Sequence, residues 1–356
     1  MSRTPQLDYD VVIPTHGRNL DLIGVTIGSV LAQSPAPRSV IVVVDGNATA
    51  ADALRRRWPQ LDVLDLDTPS GEGAARHAGI ERARAEWVAF VDDDDLWASR
   101  KQQVTAEYIA THPDCSAVRT AFWTFTTPDS GVESVNELRA ELVGNDVSDL
   151  EAAAVRAAPL NSMDYLDIHG DSLALMLERN RGVIGSSVVR RHLLQSLPAV
   201  PTGMRPGADH LLLTLVARET EWHLIRERLL FYRLHAGQDT RRPDPAAARS
   251  IIRTRVLAWQ FAGDRASLPR AAYGPAYRRE LRRLLWPLLR SGHWAELVRT
   301  YRASWSLLPR MTDRGLLLVP EPVVWRLTQQ WRERRPPRSV QDLLGRSATV
   351  GSAIDA

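Results

Sequence analysis

The first hundred residues alternate in hydrophobic period, and that alternation constrains the fold more than any other feature. Tyr9-Asp10-Val11-Val12-Ile13 is a short β-rich run closed by Pro14. Asn19 to Gln33 carries Leu22, Val25, Val30 and Leu31 at helical spacing, with Asn19 placed to cap the helix. Val40-Ile41-Val42-Val43-Val44 is β-branched throughout, the composition of a strand buried on both faces, and ends in the turn signal Asp45-Gly46-Asn47. The pattern then predicts a helix over Ala50 to Trp58, a strand over Leu61 to Leu66 and a helix over Gly73 to Ala85. The fourth strand, Trp87 to Val91, runs straight into Asp92-Asp93-Asp94-Asp95.

Strands alternating with helices imply right-handed crossovers and a largely parallel sheet. Ligands of such sheets bind beyond the carboxyl ends of the strands. The polar residues that follow three of the strands therefore share one edge: Thr15 and Arg18, Asp45 and Asn47, and Asp92 to Asp95. Past Trp97 the signal weakens. Strands are expected over Ala117 to Thr126, Val183 to Val189 and Leu229 to Leu234, and helices over Ser172 to Arg179 and His210 to Arg218. Ser130 to Leu160 is polar and acidic and reads as an insertion. Arg241 to Ala247 reads as a linker, and the chain is helical, Arg-rich and Trp-containing from Ser250. The expected organisation is an α/β domain over 1–240, a helical region over 241–345 and a small, polar tail over 346–356.

Composition excludes some chemistry. Lys101 is the one lysine among 45 basic residues, and it follows Arg100 rather than the Gly of a phosphate loop. Cys115 is the one cysteine, so there is no internal disulfide and no zinc site built on cysteines. Met1 to Asp10 is polar, without the apolar core of a signal peptide, and no apolar stretch is long enough to span a bilayer. The expectation is a cytoplasmic protein, with a peripheral position at the inner face of the membrane left open. Charge is divided unevenly: from Arg241 to Val340 there are 21 Arg against 7 Asp or Glu, a net +14, so with +3 overall the remainder carries −11.

Four successive carboxylates at a strand end repel one another, and each raises the proton affinity of its neighbours. A divalent cation relieves that repulsion, and Mg²⁺ or Mn²⁺ prefers oxygen ligands shared with substrate phosphates. In an extended segment Asp92 and Asp94 would point to one side and Asp93 and Asp95 to the other. A solvated acidic turn is the plain alternative.

Three stretches in order resemble glycosyltransferase family 2: "VVIPTHGRNLDLIGVTIGSVLAQ", "VIVVVDGNAT" and "GEGAARHAGIERARAEWVAFVDDDDLW". "NRGVIGSSVVRRHLL", "RPGADHLLLTLVAR" and "LLFYRLHAGQDT" extend the likeness to about Asp239. The resemblance implies a GT-A, Rossmann-like α/β fold: a mostly parallel central sheet flanked by helices, here with an α-helical C-terminal extension. It implies inverting transfer of a sugar from a nucleotide-diphosphate donor to an acceptor hydroxyl, with Mn²⁺ or Mg²⁺ as cofactor. Pro14, Thr15 and Arg18 would line the nucleotide pocket, Asp45 would contact the base or ribose, and Arg76 would lie near the nucleotide or its phosphates. Asp92 to Asp94 match the D-x-D motif, with Asp92 and Asp93 on the donor and Asp94 on the metal. Asp209 would be the general base, and Arg233 and His235 would lie near the diphosphate or metal.

Each role has a bland counterpart. Asp209 suits a helix cap, Arg76 suits a salt bridge to Glu72 or Glu81, and His235 suits a polar loop. The sequence also departs from the family pattern. Gly46 or Asn47 stands where a second Asp is usual, which leaves a UDP donor open, His77 replaces Asn, and Ala208 replaces the Glu before the presumed base. The acceptor is open among a saccharide, a lipid-linked sugar, a natural product and a peptide. In the C-terminal region Tyr277, Leu281, Leu284, Leu285 and Leu288 form an apolar stripe among arginines, interrupted near Pro287. That stripe could pack on the protein, rest on an anionic membrane or meet another partner. No nucleic-acid recognition motif accompanies the basic charge. Two other readings compete with the transferase: a non-catalytic scaffold acting through its basic tail, and a nucleotidyltransferase, for which "PTHGRNL" offers little.

Overall fold

The computed structural model describes residues 5–125, 155–157, 171–233, 245–290 and 292–317. The alternating elements form where the period places them. They are β1 (Tyr9–Thr15), α1 (Leu20–Leu31), β2 (Ser39–Asp45), α2 (Ala48–Arg57), β3 (Asp62–Leu66), α3 (Glu72–Arg82) and β4 (Trp87–Phe90). Asn19 caps α1 by accepting from the Leu22 amide at 3.1 Å, and Asn47 caps α2 through the Ala50 amide at 3.2 Å. The order β3-β2-β1-β4 is parallel throughout, with Val11 beside Val40 and Tyr9 beside Trp87. β2 lies between β1 and β3, which is why its five apolar residues are all buried.

The second half of the sheet is assembled from distant pieces: β5 (Leu96–Trp97), β6 (Ala117–Phe125), β7 (Val155–Ala157), β8 (Ser187–Arg190) and β9 (His223–Arg233). β8 pairs antiparallel with both β4 and β6, while β6 and β9 are parallel, so this half is mixed. Among the described residues the path runs β3-β2-β1-β4-β8-β6-β9-β5, with β7 on β6. In chain order the next helices are α4 (Lys101–Thr111), α5 (Ser172–Glu178), α6 (Arg191–Ser196) and α7 (Ala208–Glu219).

Two expectations change here, and one helix appears where none was expected. The strand expected over Val183 to Val189 is a 3-10 turn, Ile184–Ser186, followed by β8. On this turn the Gly185 carbonyl accepts from the Trp97 indole N–H at 2.9 Å. The last strand begins six residues earlier than expected and crosses a register shift opposite Thr120 to Phe122. Helix α4 has no apolar period to mark it, because its buried face is mostly polar: Lys101, Gln102 and Thr105, with Ala106.

By contact the chain divides into two units, 1–172 with 181–238, and 173–180 with 239–356. In the second, the described elements are α5, α8 (Pro245–Ala262), α9 (Gly274–Arg290), α10 (Trp294–Ser304), α11 (Met311–Leu316) and short 3-10 turns. α8 takes over the last residues of the expected linker, with Pro245 at its first position, where a missing N–H is harmless. α9 runs through Pro287 to Arg290 without the expected break. Its stripe is internal: Tyr277, Leu281, Leu285 and Leu288 are buried, and the Tyr277 hydroxyl donates to the Leu177 carbonyl and accepts from the Trp259 indole at 2.6 Å. Most of the expected insertion and the whole of the tail lie outside the described residues.

Candidate active site

The acidic run is a turn, not an extended continuation of β4. The Asp95 amide donates to the Asp92 carbonyl at 3.2 Å. From α1, the Thr26 hydroxyl donates to the carbonyls of Asp93 at 3.1 Å and Asp95 at 2.8 Å. The two-sided pairing expected of an extended segment is therefore replaced, because side chains alternate only where the backbone is extended. Each partnered carboxylate faces a different neighbour. Asp92 accepts from Arg76 Nη2 at 2.7 Å, Asp93 accepts from the Thr15 hydroxyl, and Asp95, fully buried, accepts from the Arg233 amide at 2.9 Å. Asp94 is half-buried, and its carbonyl accepts from Arg233 Nε at 2.7 Å.

Crowding and burial hold protons on this turn. Burial pushes the Asp93 carboxyl up to about 7, with the Asp94 charge the next cause. Asp95 is held well above the usual carboxylate range by burial and then by Asp94. For Asp92 burial again raises proton affinity, and the Arg76 guanidinium opposes it. From the end of β9, Tyr232 is raised by burial and then by the charges of Asp95, Asp92, Asp94 and Asp209, which places its hydroxyl in the same field.

Arg76 joins the turn to two helix starts. It is buried, donates to Asp92 and lies 3.4 Å from Glu72, one helical turn earlier. A Cβ on Gly73 would stand 3.2 Å from the Ala208 Cβ and 2.9 Å from Val200 Cγ1, so glycine there lets the starts of α3 and α7 approach. Glu72 precedes that contact and Asp209 follows it, which brings the two carboxylates together from two helices. Burial pushes Glu72 up to about 7; Arg76 opposes this, and the Asp209 and Asp92 charges add to it. The N-cap of α7 is Gly207, at φ 119°, so Asp209 is not the cap but a first-turn residue, where the helix dipole favours an anion. Arg205 adds its charge near both Glu72 and His16.

The nucleotide end is built differently. Asp45 accepts from the amides of Ser70 at 2.6 Å and Gly71 at 2.9 Å and lies 3.4 Å from His16 Nδ1, so it anchors the loop that leads into α3. Gly46 has φ 70°, and a Cβ there would meet the Pro69 ring at 2.6 Å, which explains why no second Asp stands at this point. Asn47 instead donates to the His16 carbonyl at 3.0 Å. Arg18 is exposed beside His16, and Pro14 is buried inside β1 opposite Val43.

The structure thus brings Thr15, Arg76, Asp92, Asp93, Asp94, Asp209 and Arg233 to one edge, with Asp45 and Arg18 beside them. His235 lies outside the described residues. Sequence reasoning missed Glu72 as a site residue, and with it Tyr232 and Arg205. Only the motif position of Tyr232, before Arg233, could have signalled one of them. Among the described residues no group of three or more His, Cys, Asp or Glu is arranged to hold a metal. Mg²⁺ and Mn²⁺ do not need one, since they take one or two carboxylates and complete the shell with phosphate oxygens and water. Asp94 and Asp92 are the carboxylates of this turn that could supply oxygens of that kind.

The parallel order β3-β2-β1-β4, with carboxylates and arginines beyond the strand ends, is that of an open α/β domain whose ligands bind at this edge. Residues 10–135 match the model of the family described as Glycosyl transferase family 2. The chain is 31% identical over 103 residues to TuaG of Bacillus subtilis, covering 28% of this chain and 40% of that protein. It is 24% identical over 216 residues to the amylovoran biosynthesis glycosyltransferase AmsE of Erwinia amylovora, covering 55% of this chain and 73% of that one. Its span thus falls below half the length of TuaG. Among solved structures, S. aureus TarS 1-349 in complex with UDP aligns at TM-score 0.51 and 14% identity, covering 93% of each chain. At that identity the likeness concerns the fold, which is GT-A.

Proposed function

We propose that this chain is a metal-dependent, inverting glycosyltransferase that moves a sugar from a nucleotide-diphosphate donor to an acceptor hydroxyl. One observation carries the reading: a buried arginine, Arg76, binds Asp92 of the strand-end turn at 2.7 Å and shares a field with Asp209 at the start of α7. This supports a reading in which a carboxylate for the metal-diphosphate group and a carboxylate for the proton share the field of one arginine.

The chemistry assigns each side chain a step. Asp209 takes the proton of the acceptor hydroxyl as its oxygen attacks the anomeric carbon from the face opposite the diphosphate. The bond from that carbon to the diphosphate oxygen breaks, and the leaving group gains negative charge. Mn²⁺ or Mg²⁺, when bound by Asp94 and Asp92, would neutralise that charge. Arg233 holds the turn in place through the Asp94 carbonyl and the Asp95 carboxylate. Arg18, Thr15 and Asp45 are assigned to the nucleotide, and His235 to the diphosphate or metal. The proposed location is cytoplasmic, with peripheral membrane contact.

The test is donor hydrolysis and transfer with Mn²⁺ or Mg²⁺ for wild type, Asp94→Asn and Asp209→Asn. Asp209→Asn should lower kcat by roughly 10²–10⁴ with the donor KM little changed. Asp94→Asn should abolish the dependence on metal. Unchanged turnover in either variant removes that assignment, and no calorimetric binding of nucleoside diphosphate with Mn²⁺ favours the non-catalytic scaffold.

A further inference from the structure

The second unit leaves one apolar face uncovered, and it is not the stripe that the sequence singles out. Trp294, Val298, Tyr301 and Trp305 follow one another at spacings of four, three and four residues, which sets them on one side of α10 and its continuation. Trp294 is 63% exposed, Val298 47% and Trp305 42%. Tyr301 packs edge-on against Trp305 at 5.8 Å. Arg314 lies over the Trp305 ring at 5.2 Å and donates to Met311 Sδ at 3.5 Å, which joins Met311, 73% exposed, to the same face. These are the large exposed apolar side chains among the described residues, apart from Leu31.

The rim is basic. From Arg290 to Arg314 the chain carries Arg290, Arg299, Arg302, Arg310 and Arg314 against Glu296 and Asp313. Glu296 is already engaged by Arg249 and Arg299. Arg299, Arg302 and Arg310 are exposed.

We propose that this face is a docking surface for an anionic lipid bilayer. Aromatic side chains with a polar handle and a protruding Met suit the boundary between headgroups and acyl chains. The surrounding arginines complement anionic headgroups. A second copy of the chain is the poorer occupant, because a two-fold contact sets the same arginine rim against itself. The α9 stripe cannot serve, since Tyr277, Leu281, Leu285 and Leu288 are buried. The proposal rests on this face alone and is independent of the catalytic reading.

The experiment is co-sedimentation of the full chain with phosphatidylcholine vesicles, with and without phosphatidylglycerol. The variants are W294Q/M311Q and R302Q/R310Q, each checked for an unchanged melting curve. Wild type should bind the anionic vesicles only. W294Q/M311Q should weaken binding about tenfold, and each Arg→Gln change should weaken it roughly fivefold. D94N should bind as wild type does, which separates failure of the lipid face from failure of the catalytic assignment. The proposal is overturned if wild type ignores anionic vesicles or binds neutral ones equally. Unchanged binding in both variants also overturns it, as does a solution dimer that W294Q/M311Q dissociates.

Discussion

Replacing Arg76 by Met keeps most of the buried aliphatic stem and removes a guanidinium that bridges two carboxylates, Asp92 at 2.7 Å and Glu72 at 3.4 Å. Breaking a buried ion pair from one side costs about 3–5 kcal/mol. The Asp92 and Glu72 side chains are 28% and 33% exposed, so solvent screening moves the expected cost to the lower end, ~3 kcal/mol. For a domain of this size that is a fall in Tm of roughly 6–12 °C. The loss has a pH signature. Burial raises the proton affinity of both carboxyls, to about 7 for Glu72, and the Arg76 charge holds them back. A carboxyl with a raised folded-state pKa binds more protons folded than unfolded, so stability falls as pH rises from the ordinary carboxylate range through the raised value. Without Arg76 that fall is steeper and longer. Thermal melts of wild type and R76M, free of divalent cations, should therefore show a small deficit at pH 5.5 and the full deficit at pH 8. Equal deficits at the two pH values would assign the loss to packing and refute the electrostatic argument.

Three further perturbations probe the frame around the site. Asp45→Asn leaves the Ser70 and Gly71 amides with one carbonyl acceptor in place of a carboxylate, and should cost about 1–3 kcal/mol and speed proteolysis of the loop before α3. Lys101 is fully buried 4.2 Å from the Trp97 ring centroid, and burial pushes its amine down to about 7. A lysine with a lowered folded-state pKa makes stability rise with pH from that value toward 10.5. Lys101→Met should therefore raise Tm most near pH 6.5, with the gain shrinking as pH rises. Gly79→Ala would set a Cβ 2.4 Å from Val12 Cγ1 and should cost ~1–3 kcal/mol by chemical denaturation, because α3 packs directly on β1 there.

The sequence by itself determined the first half of the fold. The β-branched run of β2, the cap Asn19, the turn at Asp45-Gly46-Asn47 and the helical periods between strands are local signals, and a parallel sheet then forces the strand ends of β1, β2 and β4 onto one edge. That much located Thr15, Asp45 and the four aspartates together. Tertiary structure decided how they are used. Arg76 could have met Glu81, yet it meets Asp92, sixteen residues away, as well as Glu72. Asp95 was one aspartate of four until the Arg233 amide, 138 residues on, turned it into a buried anchor. Glu72 became a site residue because Gly73 and Ala208 let two helices touch. The C-terminal region changed in the same way, for α9 closes its apolar stripe inside while α10 leaves Trp294 outside. Local period reports which face of an element is apolar. Which surface covers that face, and which charge meets which, depends on contacts between residues far apart in the chain, and no single window of sequence contains both partners.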